Sequence, residues 1–182
     1  MQTEQAEFLR GYLLPQVRSE QAVTRRVLAA IPAGGGDYRP DEKSRAATRL
    51  AWHLAGTEMW FLDGVIHRAF REEEWKPDLT ATGAQIAEWY ETEGARRLAQ
   101  IEALSAEDLI APVNWLGLRN DPAVTYLSLA IRHTVHHRGQ LSAYLRAMGG
   151  RVPAIYVESA DQPFSARPEE IAAGKVERPP AF

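Results

Sequence analysis

Arg132-His133-Thr134-Val135-His136-His137-Arg138-Gly139-Gln140 is the stretch from which the architecture of this 182-residue chain is read. It lies in a segment bounded by Asp121-Pro122 and Gly149-Gly150. Asp121 can cap free amides, Pro122 suits a first helical position, and glycine favours the turn that ends a helix. Between them Val124, Leu127, Leu129, Ile131, Leu141 and Leu145 form a wide apolar belt, so a long helix packed against several neighbours is expected. Three of the five histidines of the chain fall in this run. Helical positions four apart lie about 40° apart around the axis, with Cβ atoms roughly 5–6 Å apart. His133 and His137 can therefore address one ion from the same face. A His133/His136 pair is the alternative, and His136 is otherwise expected at the rim or against a neighbouring helix. A divalent transition metal needs at least one more protein ligand, for which His53 is the upstream candidate.

Outward from this segment the dominant period is also helical. Phe8, Leu9, Tyr12, Leu13 and Val17, then Val23, Val27, Leu28 and Ile31, recur at three- and four-residue spacing. Pro15 is expected to kink or divide this first region, and Pro32 to Pro40, with three glycines between, to end it. A second helix is expected from about Asp41 to Arg71, carrying Leu50, His53, Leu54, Thr57, Trp60 and Phe61 on a broad face. A third spans roughly Thr82 to Leu104, and Ser105-Ala106-Glu107-Asp108 marks a short capped piece. Leu109 to Arg119 reads as loop or short extended chain. Four long helices with two fairly long connections predict an all-α bundle with a site between facing helices. Residues 1–162 form this bundle, and 163–182, rich in proline and charge, are expected to be an irregular, mobile tail.

Composition narrows the chemistry. With no cysteine, thiolate nucleophiles, disulfides and sulfur-ligated metals are excluded, so any metal must take nitrogen or oxygen ligands. The 21 basic and 24 acidic residues give a net charge of −3 and no basic footprint for nucleic acid or a membrane surface. The N-terminus lacks the basic and apolar regions of a signal peptide, and no apolar run approaches the ~20 residues of a transmembrane helix. A soluble, cytoplasmic protein is the expectation. The residue after His133 is Thr134, so the general-base glutamate of a zinc-protease motif is missing. No nucleophile elbow is present, and Gly34-Gly35-Gly36 follows a helix rather than opening one, as a linker would. His67 is expected to be an ordinary surface histidine.

The stretch His133 to Leu141, followed by Tyr144-Leu145-Arg146 and Gly149, resembles the fourth helix of the DinB-like (DinB/YfiT) superfamily. Leu50-Ala51-Trp52-His53 is similar to the segment carrying that family's first metal ligand, and Val152 to Tyr156 with Ser159-Ala160-Asp161 to its following loop. The resemblance covers residue 3 to about 162. It implies an up-down-down-up four-helix bundle holding one divalent metal, nickel, zinc or manganese, with His53, His133 and His137 as ligands. It also implies homodimers, and, in characterised branches, transfer or isomerisation reactions that use low-molecular-weight thiols. The family name refers to DNA-damage induction, in keeping with the absence of a basic surface.

Three functions follow as expectations. The first is an enzyme activating a small thiol for transfer to a small electrophile, with Trp52, Trp60, Trp115 or Tyr126 walling the pocket and Gln140 supporting a ligand. The second is a hydrolase using metal-activated water, for which Glu58 lies on the wrong face of the second helix to be the base. The third is a non-catalytic dimeric stress-response module with a structural metal, which would need a fourth ligand from His136, Glu58 or Asp63. Arg132 and Arg138 are expected as surface or inter-helix partners rather than substrate contacts.

Overall fold

The computed structural model describes residues 1–71 and 76–163. Helix α1 runs Thr3–Ala29 as one helix, so Pro15 does not divide it. Proline forfeits one helical hydrogen bond and crowds the preceding turn. Leu13, Leu14 and Val17, all buried, bind the chain on both sides of it to one core face and carry the helix through.

Helix α2 spans Ala47–His67, starting later and stopping earlier than expected. Asp41 is used locally instead: its carboxylate accepts from the Lys43 and Ser44 amides and the Ser44 hydroxyl, closing a turn rather than capping a helix. At the other end Arg68 is left-handed (φ 55°) and the chain doubles back. Phe70 then lies over Gly64, where a Cβ would come within 2.5 Å of its ring.

Helix α3 (Gly83–Glu102) starts close to the expected Thr82, from a Thr82/Gln85 capping box, and helix α4 (Ala106–Ile110) starts from a Ser105/Asp108 box, the short capped piece the sequence predicts. Strands β1 (Pro112–Trp115) and β2 (Arg119–Pro122) form an antiparallel hairpin pairing Val113 with Asp121. Helix α5 is Tyr126–Ala147. Asp121 and Pro122 do not open it: they belong to β2, Asp121 is ion-paired to Arg119, and a 3-10 turn, Ala123–Thr125, intervenes. The helix closes at Gly149, in left-handed conformation (φ 72°).

Long-range contacts set the directions of the four long helices. Arg10 meets the Leu104 carbonyl while Gly83 abuts Leu28, so α1 and α3 are antiparallel. Trp52 meets Trp89 and Asp63 meets Arg97, so α2 and α3 run the same way. His53 meets His137 while Phe70 meets Tyr126, so α2 and α5 are antiparallel. The result is an up-down-down-up bundle in which α2 packs between α3 and α5. After α5 the chain lies back against the bundle: Arg26 donates to the Ala154 carbonyl and Arg146 pairs with Asp161. The expected tail lies, beyond residue 163, outside the described residues.

Candidate metal centre

Helix α2 brings His53 and helix α5 brings His133 and His137 to one place, with one nitrogen from each ring within 4.8 Å of the others. The i, i+4 spacing does what it predicts, placing the His133 and His137 rings 4.4 Å apart on one face. His53 stands edge-on to both, at 5.0 and 4.5 Å between ring centroids. His53 Nε2 and His137 Nε2 face each other at 3.1 Å. Two nitrogens bound to one ion at about 2.0–2.1 Å are held roughly 3 Å apart, so this gap suits a shared ion.

The outer nitrogens are anchored. Thr57, one turn along α2, places its hydroxyl 3.2 Å from His53 Nδ1. Gln140 places Oε1 2.7 Å from His137 Nδ1, as the sequence suggested. Both anchors leave Nε2 directed inward. His133 Nδ1, by contrast, is buried with no hydrogen-bond partner among the described residues. A buried imidazole nitrogen left so costs free energy that a metal bond to the ring can offset.

All three rings are half-buried and neutral at neutral pH. Burial, then the charge of Arg45 and the neighbouring His137, pushes His53 down to about 4. Burial, then the other histidines and Arg45, pushes His133 down to about 3. His137 is lowered too, mainly by burial and against the bond from Gln140. Neutral rings are the form that ligates.

A cavity of about 420 Å³ opens beside His53, lined also by Arg45, Arg49, Trp52, Thr57, Pro77 and Leu79. Of the four aromatic residues expected to wall a pocket, Trp52 does so. Trp60 instead donates to the Arg71 carbonyl, Trp115 packs on Phe61, and Tyr126 bonds the Val113 carbonyl. His136 stays at the rim beside Gln140, and His67 is exposed. Glu58 lies on a different face from His53, as expected, and points into the core, and Asp63 pairs with Arg97. Arg138 is buried between helices, ion-paired to Glu20, and belongs to the bundle rather than the cavity. Sequence reasoning missed Thr57 as an anchor, though its spacing four after His53 was the available signal. It missed Arg45 and Arg49 altogether, since exposed arginines near a helix start carry no local mark.

An up-down-down-up bundle with a histidine cluster between α2 and α5 defines the class, and the comparisons name it. A model of the DinB family matches residues 1–170, and the chain belongs to that family. The match runs some way past the region where the resemblance was visible. The chain is 26% identical over 133 residues to the uncharacterized protein YjoA of Bacillus subtilis, covering 72% of this chain and 85% of that protein. The crystal structure of YjoA, a DinB-like protein, superposes with a TM-score of 0.63 at 22% identity, covering 84% of this chain and 99% of that one. A DinB-like protein of Bacillus cereus superposes at 0.68 with 23% identity, covering 79% and 95%. At these identities the two structures establish a shared fold.

Proposed function

We propose that this is a metal-dependent enzyme in which His53, His133 and His137 hold one divalent transition ion, nickel, zinc or manganese, and a low-molecular-weight thiol attacks a small electrophile. The observation that carries this reading is the convergence of three neutral imidazoles beside a cavity, one of them with an orphaned buried nitrogen. An ion bound there supplies a concentrated positive charge that lets a thiol lose its proton near neutral pH.

The chain's own residues supply the setting. Thr57 and Gln140 fix the inward direction of two rings. Trp52, Pro77 and Leu79 offer apolar wall to the incoming molecules. A chain without cysteine has no sulfur nucleophile of its own, so the thiol arrives as a cosubstrate. Its proton leaves to solvent, its sulfur forms the new bond to the electrophilic carbon, and the leaving group departs with the broken bond's electron pair.

A hydrolase reading is weaker because Glu58 is committed to the core and no carboxylate lines the cavity among the described residues. A closed structural site is weaker because Glu58 and Asp63 are committed to other partners. His136, though its ring lies 4.7 Å from that of His137, is not among the three histidines whose nitrogens converge and sits beside Gln140. Assembly as a homodimer in the cytoplasm belongs to the same proposal, and sedimentation velocity reads the dimer. No described helix is long and apolar enough to cross a membrane.

Elemental analysis of the untagged protein, beside His53→Ala and His137→Ala, is the test. Close to one ion per chain, lost in both variants, supports the site and justifies assaying thiols against electrophiles. Wild-type protein that stays metal-free after refilling with each of the three metals overturns it.

A further inference from the structure

The cavity beside His53 has a charge pattern that the histidines alone do not explain. Other arginines on the bundle have partners: Arg18 pairs with Glu102, Arg25 with Glu91 and Arg97 with Asp63, while Arg10 and Arg26 donate to backbone carbonyls and Arg132 to the Ser128 hydroxyl. Arg45 and Arg49 form no ion pair or side-chain hydrogen bond among the described residues, yet both line the cavity that His53 borders. Asp78, between the lining residues Pro77 and Leu79, turns Oδ1 to the Thr80 amide and hydroxyl and is not itself among the residues that line the cavity. The first turn of α2 carries no acidic residue. Three neutral imidazoles contribute no negative charge either, so a divalent ion at the cluster would add to the field of two guanidinium groups. Among the described residues no carboxylate lines the cavity.

We infer that Arg45 and Arg49 form an oxyanion subsite, and that the small molecule admitted beside His53 carries a carboxylate or phosphate. This rests on reading the histidine cluster and its cavity as a small-molecule site. A guanidinium presents a planar fork of donors that matches either oxyanion in two parallel hydrogen bonds. Trp52, Pro77 and Leu79 provide the opposite need, an apolar surface for the uncharged part of the same molecule. Trp52 is held in place by its indole N–H, which donates to the Asp78 carbonyl at 2.8 Å, and by its edge contact with Trp89. The fit is therefore to an amphipathic anion, its head on the arginines and its body on Trp52.

The test is a titration of phenylacetate, phenyl phosphate and the neutral phenylacetamide into the full-length chain, metal-free and zinc-loaded, followed by calorimetry and tryptophan fluorescence. At least one anion should bind about tenfold or more tightly than the amide, as expected for charge-assisted hydrogen bonds. Arg45→Gln and Arg49→Gln should each weaken that anion about tenfold and leave the amide alone. Arg25→Gln, the same charge change on the far side of the bundle, should have no such effect. The better of the two anions identifies the headgroup. Equal binding of anion and amide, no binding of either anion, or anion binding indifferent to both arginines overturns the inference. His53→Ala separates it from the metal reading: arginine-dependent anion binding that persists in a protein unable to take metal leaves the subsite standing while the metal assignment falls.

Discussion

His133 and Thr134 are neighbours in the chain, about 100° apart around α5, and serve two polar clusters of opposite character. His133 joins a half-buried group that is open, neutral and short of partners. Thr134 joins a knot at the bundle centre in which every group is paired. There Glu58 Oε2 accepts from the Tyr90 hydroxyl at 2.6 Å and the Thr134 hydroxyl at 2.5 Å, and Oε1 accepts from the Gln21 amide at 2.7 Å. These residues come from α1, α2, α3 and α5, so one carboxylate ties all four long helices. Arg138 continues the knot through Glu20, Thr24 and Tyr156. A saturated buried network fixes which helices meet and in what register; an unsaturated one beside a cavity is poised to bind.

If the two clusters are independent, breaking the knot should cost the fold and spare the metal. Glu58→Ala leaves three donors facing a cavity and should destabilise the protein by about 3–5 kcal/mol, since each buried donor left unsatisfied costs about 1–3 kcal/mol. Arg138→Ala, which strands Glu20, belongs in the same range. Guanidinium melts measure the loss. Elemental analysis of the fraction still folded should return the wild-type metal content. Metal lost from well-folded Glu58→Ala would mean that the carboxylate supports the histidines, and the comparison would fail.

Acid titration should separate the clusters by sign. His133 and His53 fold with values near 3 and 4 against an ordinary 6.5, so below about pH 6.5 the unfolded chain binds protons that the folded one refuses. Metal-free protein should therefore lose stability as the pH falls from 6.5 toward 3. Burial pushes Glu58 above its ordinary 4.5, opposed by its three hydrogen bonds. Here the folded state holds its proton longer than the unfolded one, so this group's contribution declines as the pH rises from 4.5 toward the raised value. Denaturant melts of wild type, His133→Ala and Glu58→Gln between pH 4 and 8 give the contrast. The histidine variant should flatten the acid loss, and Glu58→Gln should gain on wild type as the pH rises. The same slope in both variants would place the two clusters in one coupled unit.

The difference between the clusters also explains what could be read from sequence. The histidines announced themselves because a rare residue recurs at helical spacing, and spacing within one helix is local information. The knot had no such sign. Gln21, Glu58, Tyr90 and Thr134 come from four helices, and each is unremarkable in its own segment; only the packing of the bundle brings them together. Helix existence was legible from apolar period, and the cap at Ser105 gave a true start. The starts at Asp41 and Asp121 failed for a shared reason. Both aspartates had a competing local use, one closing a turn with Ser44 and the other pairing with Arg119 in the hairpin, and sequence alone does not rank those uses.

The smallest expected effect probes how tightly the knot is enclosed. Gly94 on α3 faces Gln21, and a Cβ there would lie 2.8 Å from the Gln21 amide nitrogen that donates to Glu58. Alanine in a helix interior gains about 1 kcal/mol over glycine. Gly94→Ala should nevertheless be destabilising by about 0.5–2 kcal/mol, because the displaced amide gives up a hydrogen bond to a carboxyl group worth about 1.5–3 kcal/mol. Gln21 is a flexible side chain at the edge of a groove, so it can swing away without disturbing backbone. In a Gln21→Ala background the obstacle is gone, and the same Gly94→Ala change should turn stabilising, toward the full helix-propensity gain. A double-mutant cycle by denaturant melting measures that reversal. The same energy in both backgrounds would show that Gly94 is not there to admit Gln21, and that the knot tolerates closer walls than its packing suggests.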